Sequence, residues 1–143
     1  MPASSSAKTV WRGDLAKGAG TTTPASGAFE PVEVTWASRT TRSAGKTSPE
    51  ELLAAAHSSC FCMAVSHELG EAGTPPDELQ ATATVEFEPG EGVRSSRLVV
   101  HGRVPGIDQA VFARAAEAAS EGCPISAALK GNVEISVEAT LDS

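Results

Sequence analysis

The feature that most constrains this chain is the run Ser48-Pro-Glu-Glu-Leu-Leu-Ala-Ala-Ala-His-Ser-Ser-Cys60-Phe-Cys-Met-Ala-Val65. Ser48 is a good helix cap, Pro49 suits the first helical position, and Glu51 three residues after the cap completes a capping-box pattern. From Leu52 to Val65 almost every residue is apolar or small on all sides. Such a helix leaves no face for water and has to be covered around most of its circumference. Gly70, Gly73 and Pro75-Pro76 mark its end. A length of 143 residues predicts one domain, 1–143. With four Phe, two Trp and no Tyr, Ala and Val must supply much of the burial. The core is then thin, and cover from a second copy of the chain would complete it.

A net charge of −7 argues against nucleic acid and against anionic membrane surfaces as partners. No run of 18 apolar residues exists to cross a membrane. The start, Met1-Pro-Ala-Ser-Ser-Ser-Ala-Lys8, lacks the apolar stretch of a signal peptide, so a cytoplasmic protein is expected. Three cysteines in a reducing compartment are not a structural disulfide framework. They are free, metal-bound or redox-active.

The first 27 residues, rich in Gly, Ser and Thr, read as short strands and turns. Phe29 to Trp36 reads as a strand interrupted by Pro31 and hence near an edge, and Ser38 to Thr47 as an exposed loop. The alternation Ala81, Ala83, Val85, Phe87 predicts a half-buried strand over 81–88. Pro89-Gly90-Glu91-Gly92 turns the chain, and Val93 to Val104 returns as the second arm of a hairpin. Asp108 can cap a helix running to Glu121, with Gly122 as its stop. Cys123-Pro124 opens a short helix through Leu129, and Asn132 to Leu141 alternates as the last strand. The whole predicts an α+β domain with mostly antiparallel strands and one central hydrophobic helix.

Cys60 is the first candidate for chemistry. Ala56, His57, Met63 and Ala64 share its helix face. The plainer alternative is a small core residue. Cys123 weighs against it, because a cysteine at a helix start meets backbone N–H groups that favour a thiolate. A thiolate also wants a cation, and Arg39 and Arg42 precede the long helix; the plainer reading of each is a solvated charge. Glu50 sits in the first turn, where complementing the helix dipole is sufficient reason for it. Glu50 and Cys60 are ten residues apart, roughly 15 Å along one helix axis. If both belong to one site, a second copy of the helix must bring them together. Zinc is the chemical rival, through His57, Cys60, Cys62 and Cys123. Cys62, however, lies about 200° around the helix from Cys60, so one ion does not take all four. His57 on an apolar face reads as a hydrogen-bonded core histidine, and His67 and His101 as surface positions. Arg12-Gly13-Asp14 is an adhesion tripeptide by spelling and a turn by context.

Gly45-Lys-Thr-Ser-Pro-Glu-Glu-Leu-Leu-Ala-Ala-Ala-His-Ser-Ser-Cys60-Phe-Cys-Met-Ala-Val-Ser66 resembles the central-helix motif of the OsmC/Ohr family of thiol-dependent peroxidases. Glu121-Gly-Cys123-Pro-Ile-Ser126 resembles that family's second cysteine motif. Trp11-Arg-Gly-Asp14, Gly18-Ala-Gly20, Ser26-Gly27 and Val104-Pro-Gly-Ile-Asp108 are similar to its OsmC branch. The resemblance implies an OsmC-like fold: antiparallel sheets around a long central helix, in an intertwined homodimer with active sites at the interface. It makes Cys60 the peroxidatic and Cys123 the resolving cysteine, with Glu50 orienting an arginine, Arg39 or alternatively Arg42. It implies reduction of organic hydroperoxides, and more weakly of hydrogen peroxide, through a Cys60 sulfenic acid and a Cys60–Cys123 disulfide. A dithiol reductant, possibly of lipoyl type, and no cofactor would follow. Leu52, Leu53, Phe61 and Met63 are the expected apolar walls for the substrate's alkyl part. Cys62 stands where a serine or small residue is commoner in the family. Two other classes remain: a redox-sensing or structural dimer without turnover, and the Cys/His metal site.

Overall fold

The structure, a computed structural model, describes residues 1–41 and 45–142. The chain forms two compact units, Met1–Leu52 and Leu53–Ser143.

In the first unit, β1 (Ala7–Arg12) and β2 (Ala19–Pro24) pair antiparallel, and β3 (Val32–Val34) adds antiparallel to β2. Gly20 sits opposite Trp11 and Val34 in this ladder. A Cβ there would meet the Trp11 ring at 2.8 Å and Val34 at 3.1 Å, so only glycine lets the strands close. The strand expected from Phe29 to Trp36 is cut to three residues. Thr35 ends it, because its hydroxyl accepts from the Ser38 N–H at 3.0 Å while Ser38 Oγ accepts from the Thr35 N–H at 2.9 Å. This reciprocal cap starts α1 (Trp36–Thr40), where an exposed loop from Ser38 was expected. Ser38 Oγ also lies 2.7 Å from the Thr47 carbonyl, and the same segment is pinned by a bridge between Val34 and Thr47.

Helix α2 (Pro49–Glu71) starts and stops where the sequence predicts. The Glu51 N–H donates to Ser48 Oγ at 3.1 Å, while the Glu51 carboxylate accepts from the Thr47 hydroxyl at 2.5 Å. At the other end Gly73 takes φ +82°, with Gly73 N–H on the Gly70 carbonyl and Thr74 N–H on that of Leu69. That is a left-handed glycine stop.

In the second unit β4 (Glu78–Glu88) and β5 (Gly92–Arg103) form the expected hairpin, with a register shift at Glu86/Phe87. Helices α3 (Gln109–Gly122) and α4 (Pro124–Leu129) follow, then β6 (Glu134–Leu141). Asp108 caps α3 through Val111 N–H at 2.9 Å. Gly122 is its last residue but not its stop: Cys123 turns to φ −70°, ψ 120°, as the residue before a proline must when it leaves the helical region. Strand β6 pairs with β5 in parallel, not antiparallel. The two helices between them return the chain to the end where β5 began, which is what a parallel partner requires.

The core of this unit gathers Phe61, Val65 and Leu69 of α2, Leu98 and Val100 of β5, and Phe112, Ala116 and Ala119 of α3. Gly102 is its tightest point. A Cβ there would lie 2.5 Å from the Phe112 ring, so the missing side chain on β5 is what seats α3. No helix among the described residues is long and apolar enough to cross a membrane.

Candidate active site

The first unit builds an ion pair. Arg39 projects from α1 and Glu50 from the first turn of α2. Arg39 Nε donates to Glu50 Oε1 at 3.0 Å and Nη2 to Oε2 at 2.9 Å, the two parallel bonds of a fork on a carboxylate. Glu50 is 5% exposed and Arg39 30%, so the carboxylate is the buried anchor and the guanidinium the accessible part. The Arg39 guanidinium also stands 5.9 Å from the centre of the Trp36 ring. Arg42, the alternative arginine, lies outside the described residues.

The second unit builds a thiol pair. Cys60 on α2 and Cys123 at the α3–α4 junction are both free and are near enough for each to shift the other's titration. Cys60 is half-buried and Cys123 fully buried. Burial pushes the Cys60 thiol up, the Cys123 sulfur beside it pushes the same way, and a backbone contact from Ile125 only partly offsets them. For Cys123 burial is the largest single influence and also raises it. The N–H groups of Ser126 and Ile125, the Ser126 hydroxyl and the Cys60 thiol together outweigh it, and the Cys123 thiol ends below its ordinary range. Its sulfur makes no capping hydrogen bond of full geometry at the start of α4. These contacts are therefore charge-stabilising neighbours rather than a formal cap. Cys62 faces the other way, toward the backbone of Ala81 in β4, and burial raises its thiol.

His57 is fully buried. Its Nδ1 lies 2.6 Å from Ser96 Oγ and its Nε2 2.8 Å from Ser126 Oγ. Burial holds its basicity down, so the ring is neutral. With both nitrogens on serine hydroxyls, His57 is not presented to a metal. Among the described residues no three of His, Cys, Asp and Glu gather where they could hold one.

A surface cleft of about 500 Å³ runs beside Cys60, lined by Met63, Ala119 and Pro124 together with His67 and Glu68. Of the four expected apolar walls, Met63 faces this cleft and is 74% exposed. Phe61 does not: it is fully buried in the core, because one residue on from Cys60 is 100° around the helix. Leu52 closes the first unit and Leu53 opens the second, both half-buried; Leu53 is not part of the cleft. His67 and His101 are exposed, beside Glu71 and Asp142 respectively. Sequence reasoning missed Ser96 and Ser126 as partners of His57. A signal exists for Ser96, a serine on the same inward face of β5 as Leu98 and Val100.

A dithiol on a helix and a helix junction, with a fork-held arginine in a separate unit, defines an α+β protein equipped for thiol redox chemistry. The sequence profile of OsmC-like proteins matches residues 42–138, and the chain belongs to that family. It is 37% identical over 128 residues to peroxiredoxin OsmC of Escherichia coli (strain K12), covering 87% of this chain and 89% of that protein. Among solved structures, the organic hydroperoxide resistance protein OhrB of Bacillus subtilis is similar at a TM-score of 0.69 and 27% identity, over 94% of this chain and 98% of that one. An OsmC-like protein from Mycoplasma pneumoniae shares the fold at a TM-score of 0.75 and 16% identity, over the whole of both chains.

Proposed function

We propose that this protein is a thiol-dependent peroxidase that reduces organic hydroperoxides, and hydrogen peroxide more weakly, with residues 1–143 acting as one catalytic domain in a homodimer. The observation that carries the reading is that Cys60 and Cys123 stand as neighbours, each influencing the other's thiol. The relatives named peroxiredoxin and organic hydroperoxide resistance protein support it. Cys60 is the peroxidatic nucleophile, although its own unit pushes its thiol up and no cation among the described residues offsets that. Arg39, held in its fork by Glu50, supplies one across chains. Ten helical residues put Glu50 about 15 Å along the axis from Cys60, so the pair acts on the Cys60 of a second copy. Arg39 stabilises the thiolate and binds the peroxide while Glu50 orients it. The Cys60 thiolate attacks a peroxide oxygen, the O–O bond breaks, and the alkoxide leaves as alcohol after taking a proton; the sulfur is left as sulfenic acid. Cys123 displaces its oxygen as water and forms the Cys60–Cys123 disulfide. A small dithiol, lipoyl-type in the simplest case, restores both thiols by exchange. Free cysteines suit the reducing cytoplasm. Met63 and the cleft beside Cys60 favour substrates with an alkyl arm.

The test is mass spectrometry of the reduced protein after one equivalent of an alkyl hydroperoxide, followed by turnover with a dithiol. A Cys60–Cys123 disulfide should form and then be consumed. Cys60→Ser should abolish turnover, and Cys123→Ser should stop after one reaction per site. Sustained turnover by Cys60→Ser would overturn the reading, and stoichiometric oxidation without turnover would make the protein a sensor instead.

A further inference from the structure

We propose that Glu68 is a specificity-determining residue: it turns away hydroperoxides whose alkyl tail ends in an anion and leaves the Cys60 cleft to neutral or cationic tails. The proposal rests on Cys60 being the thiol that meets the peroxide. The cleft of about 500 Å³ lies wholly within the second unit. On α2, Cys60, Ala64 and Glu68 follow one another at four-residue steps, with Met63 and His67 between them, so all five share one side of the helix. Glu68 stands about 12 Å along the axis from Cys60. The opposite wall is small, Ala119 and Gly122, and a Cβ added at Gly122 would meet nothing within 4 Å. That free space is what opens the cleft beside the sulfur.

A hydroperoxide with its peroxide at Cys60 lays its tail over Met63, Ala64 and Ala119 and brings the tail's end to Glu68 and His67. His67 does not make that end cationic. Its Nε2 stands 4.0 Å from a Glu71 carboxylate oxygen, so any proton it takes is matched by Glu71. Among the described residues no Lys or Arg lines this cleft, and none pairs with Glu68. Glu68 is half-buried, and water screens its field only in part. A carboxylate at the tail's end would meet a like charge and lose hydration against methionine and alanine.

The two ends of the cleft therefore differ in kind. Negative charge develops at the sulfur end during the reaction, where the Arg39 cation acts. At the other end the negative charge is fixed and belongs to the protein. A substrate fits this arrangement when its only incipient anion is the peroxide itself.

The test uses thiol reagents that need no peroxidase activity. Hexyl methanethiosulfonate and its carboxylate-ended and ammonium-ended analogues each form a mixed disulfide with a thiolate, which displaces methanesulfinate. In Cys62→Ser, Cys123→Ser protein, where Cys60 is the one cysteine left, the rates are read by mass spectrometry. Each is divided by the rate of the same reagent with a free thiol. The ammonium-ended reagent should react faster than the hexyl one, and the carboxylate-ended reagent slower. Glu68→Gln should narrow the hexyl-to-carboxylate ratio about threefold, the scale of one partly screened charge. Glu117→Gln removes the same charge from the separate cleft of about 380 Å³ and should narrow it less. A ratio unmoved by Glu68→Gln, one moved as far by Glu117→Gln, or a Cys60 that reacts with none of the reagents would overturn the proposal. In the chain with its three cysteines, kcat/KM for a fatty-acid hydroperoxide relative to its methyl ester should rise by a like factor in Glu68→Gln. If no hydroperoxide is turned over while the reagent ratios shift as stated, the peroxidase reading fails and the charge selection at the cleft stands.

Discussion

The two units solve the problem of staying folded in different ways. Every buried apolar side chain among the described residues belongs to the second unit, from Phe61 to Cys123. In the first unit the buried side chains are Ser38, Ser48 and Glu50, and all six residues of β1 are exposed. Leu53–Ser143 is thus a hydrophobic core closed by helices. Met1–Leu52 is a hydrogen-bonded ribbon whose fixed points are polar: the Thr35–Ser38 cap, the Ser38–Thr47 bond and the Arg39–Glu50 fork. The candidate groups divide the same way, with the arginine and carboxylate in the first unit and the Cys60 and Cys123 thiols in the second. A polar unit of this kind holds a guanidinium in place without burying it, while the apolar unit buries Cys123 fully and Cys60 in part.

The largest effect should come from removing what the ribbon offers the core. Arg39→Ala should lower peroxide turnover about 10²- to 10³-fold near neutral pH, the usual loss for one charge-stabilising donor at a reacting centre. The pH dependence carries the sign. Without the guanidinium, burial and Cys123 hold the Cys60 thiol above its ordinary range. The thiolate is then scarce at neutral pH, and the variant's rate should climb with rising pH through the range where the native rate has already levelled. A flat, native-like profile in Arg39→Ala would show that Cys60 finds its cation elsewhere and that the division of labour between the units is not the working one.

The next test reads stability instead of rate, through a cut in the core itself. Phe112 is fully buried and packs where β5 has only Gly102. Phe112→Ala should cost about 3–5 kcal/mol in chemical denaturation, transfer and cavity terms together. A loss below about 1 kcal/mol would mean that the second unit is not held by its apolar core, and the contrast with the first would collapse.

The sequence discloses these two units unequally, for physical reasons. Local signals were read well: the Ser48-Pro49 start of α2, its glycine stop, and the alternation of β4 and β5. α1 was missed although its signal is local, because its cap has Ser38 rather than Glu or Gln at the third position and the helix lasts five residues. The parallel sense of β6 was not legible, since alternation of side chains has no direction. At the site, the two cysteine motifs announced Cys60 and Cys123, and the Arg39–Glu50 pairing followed from the same resemblance. Phe61 was misassigned because its neighbour Cys60 drew it to the wrong face. The His57 partners lie on β5 and α4, and only folding brings them together.

The smallest effect should fall on the exposed ribbon, and it decides what the exposure means. Val10 is 41% exposed on β1. In protein dilute enough to be dissociated, Val10→Ser should cost no more than about 0.5 kcal/mol, as for an ordinary surface change. In the proposed homodimer a second copy covering β1 would bury the remaining apolar area of Val10, and the cost should rise to about 1 kcal/mol. Denaturation at two protein concentrations, compared between wild type and variant, reads the difference. A cost that grows with concentration makes the thin first unit the half of a shared core. An equal cost at both concentrations means that no second copy covers β1, and any cover for the chain would then have to come on the exposed side of α2, where Met63 is 74% exposed.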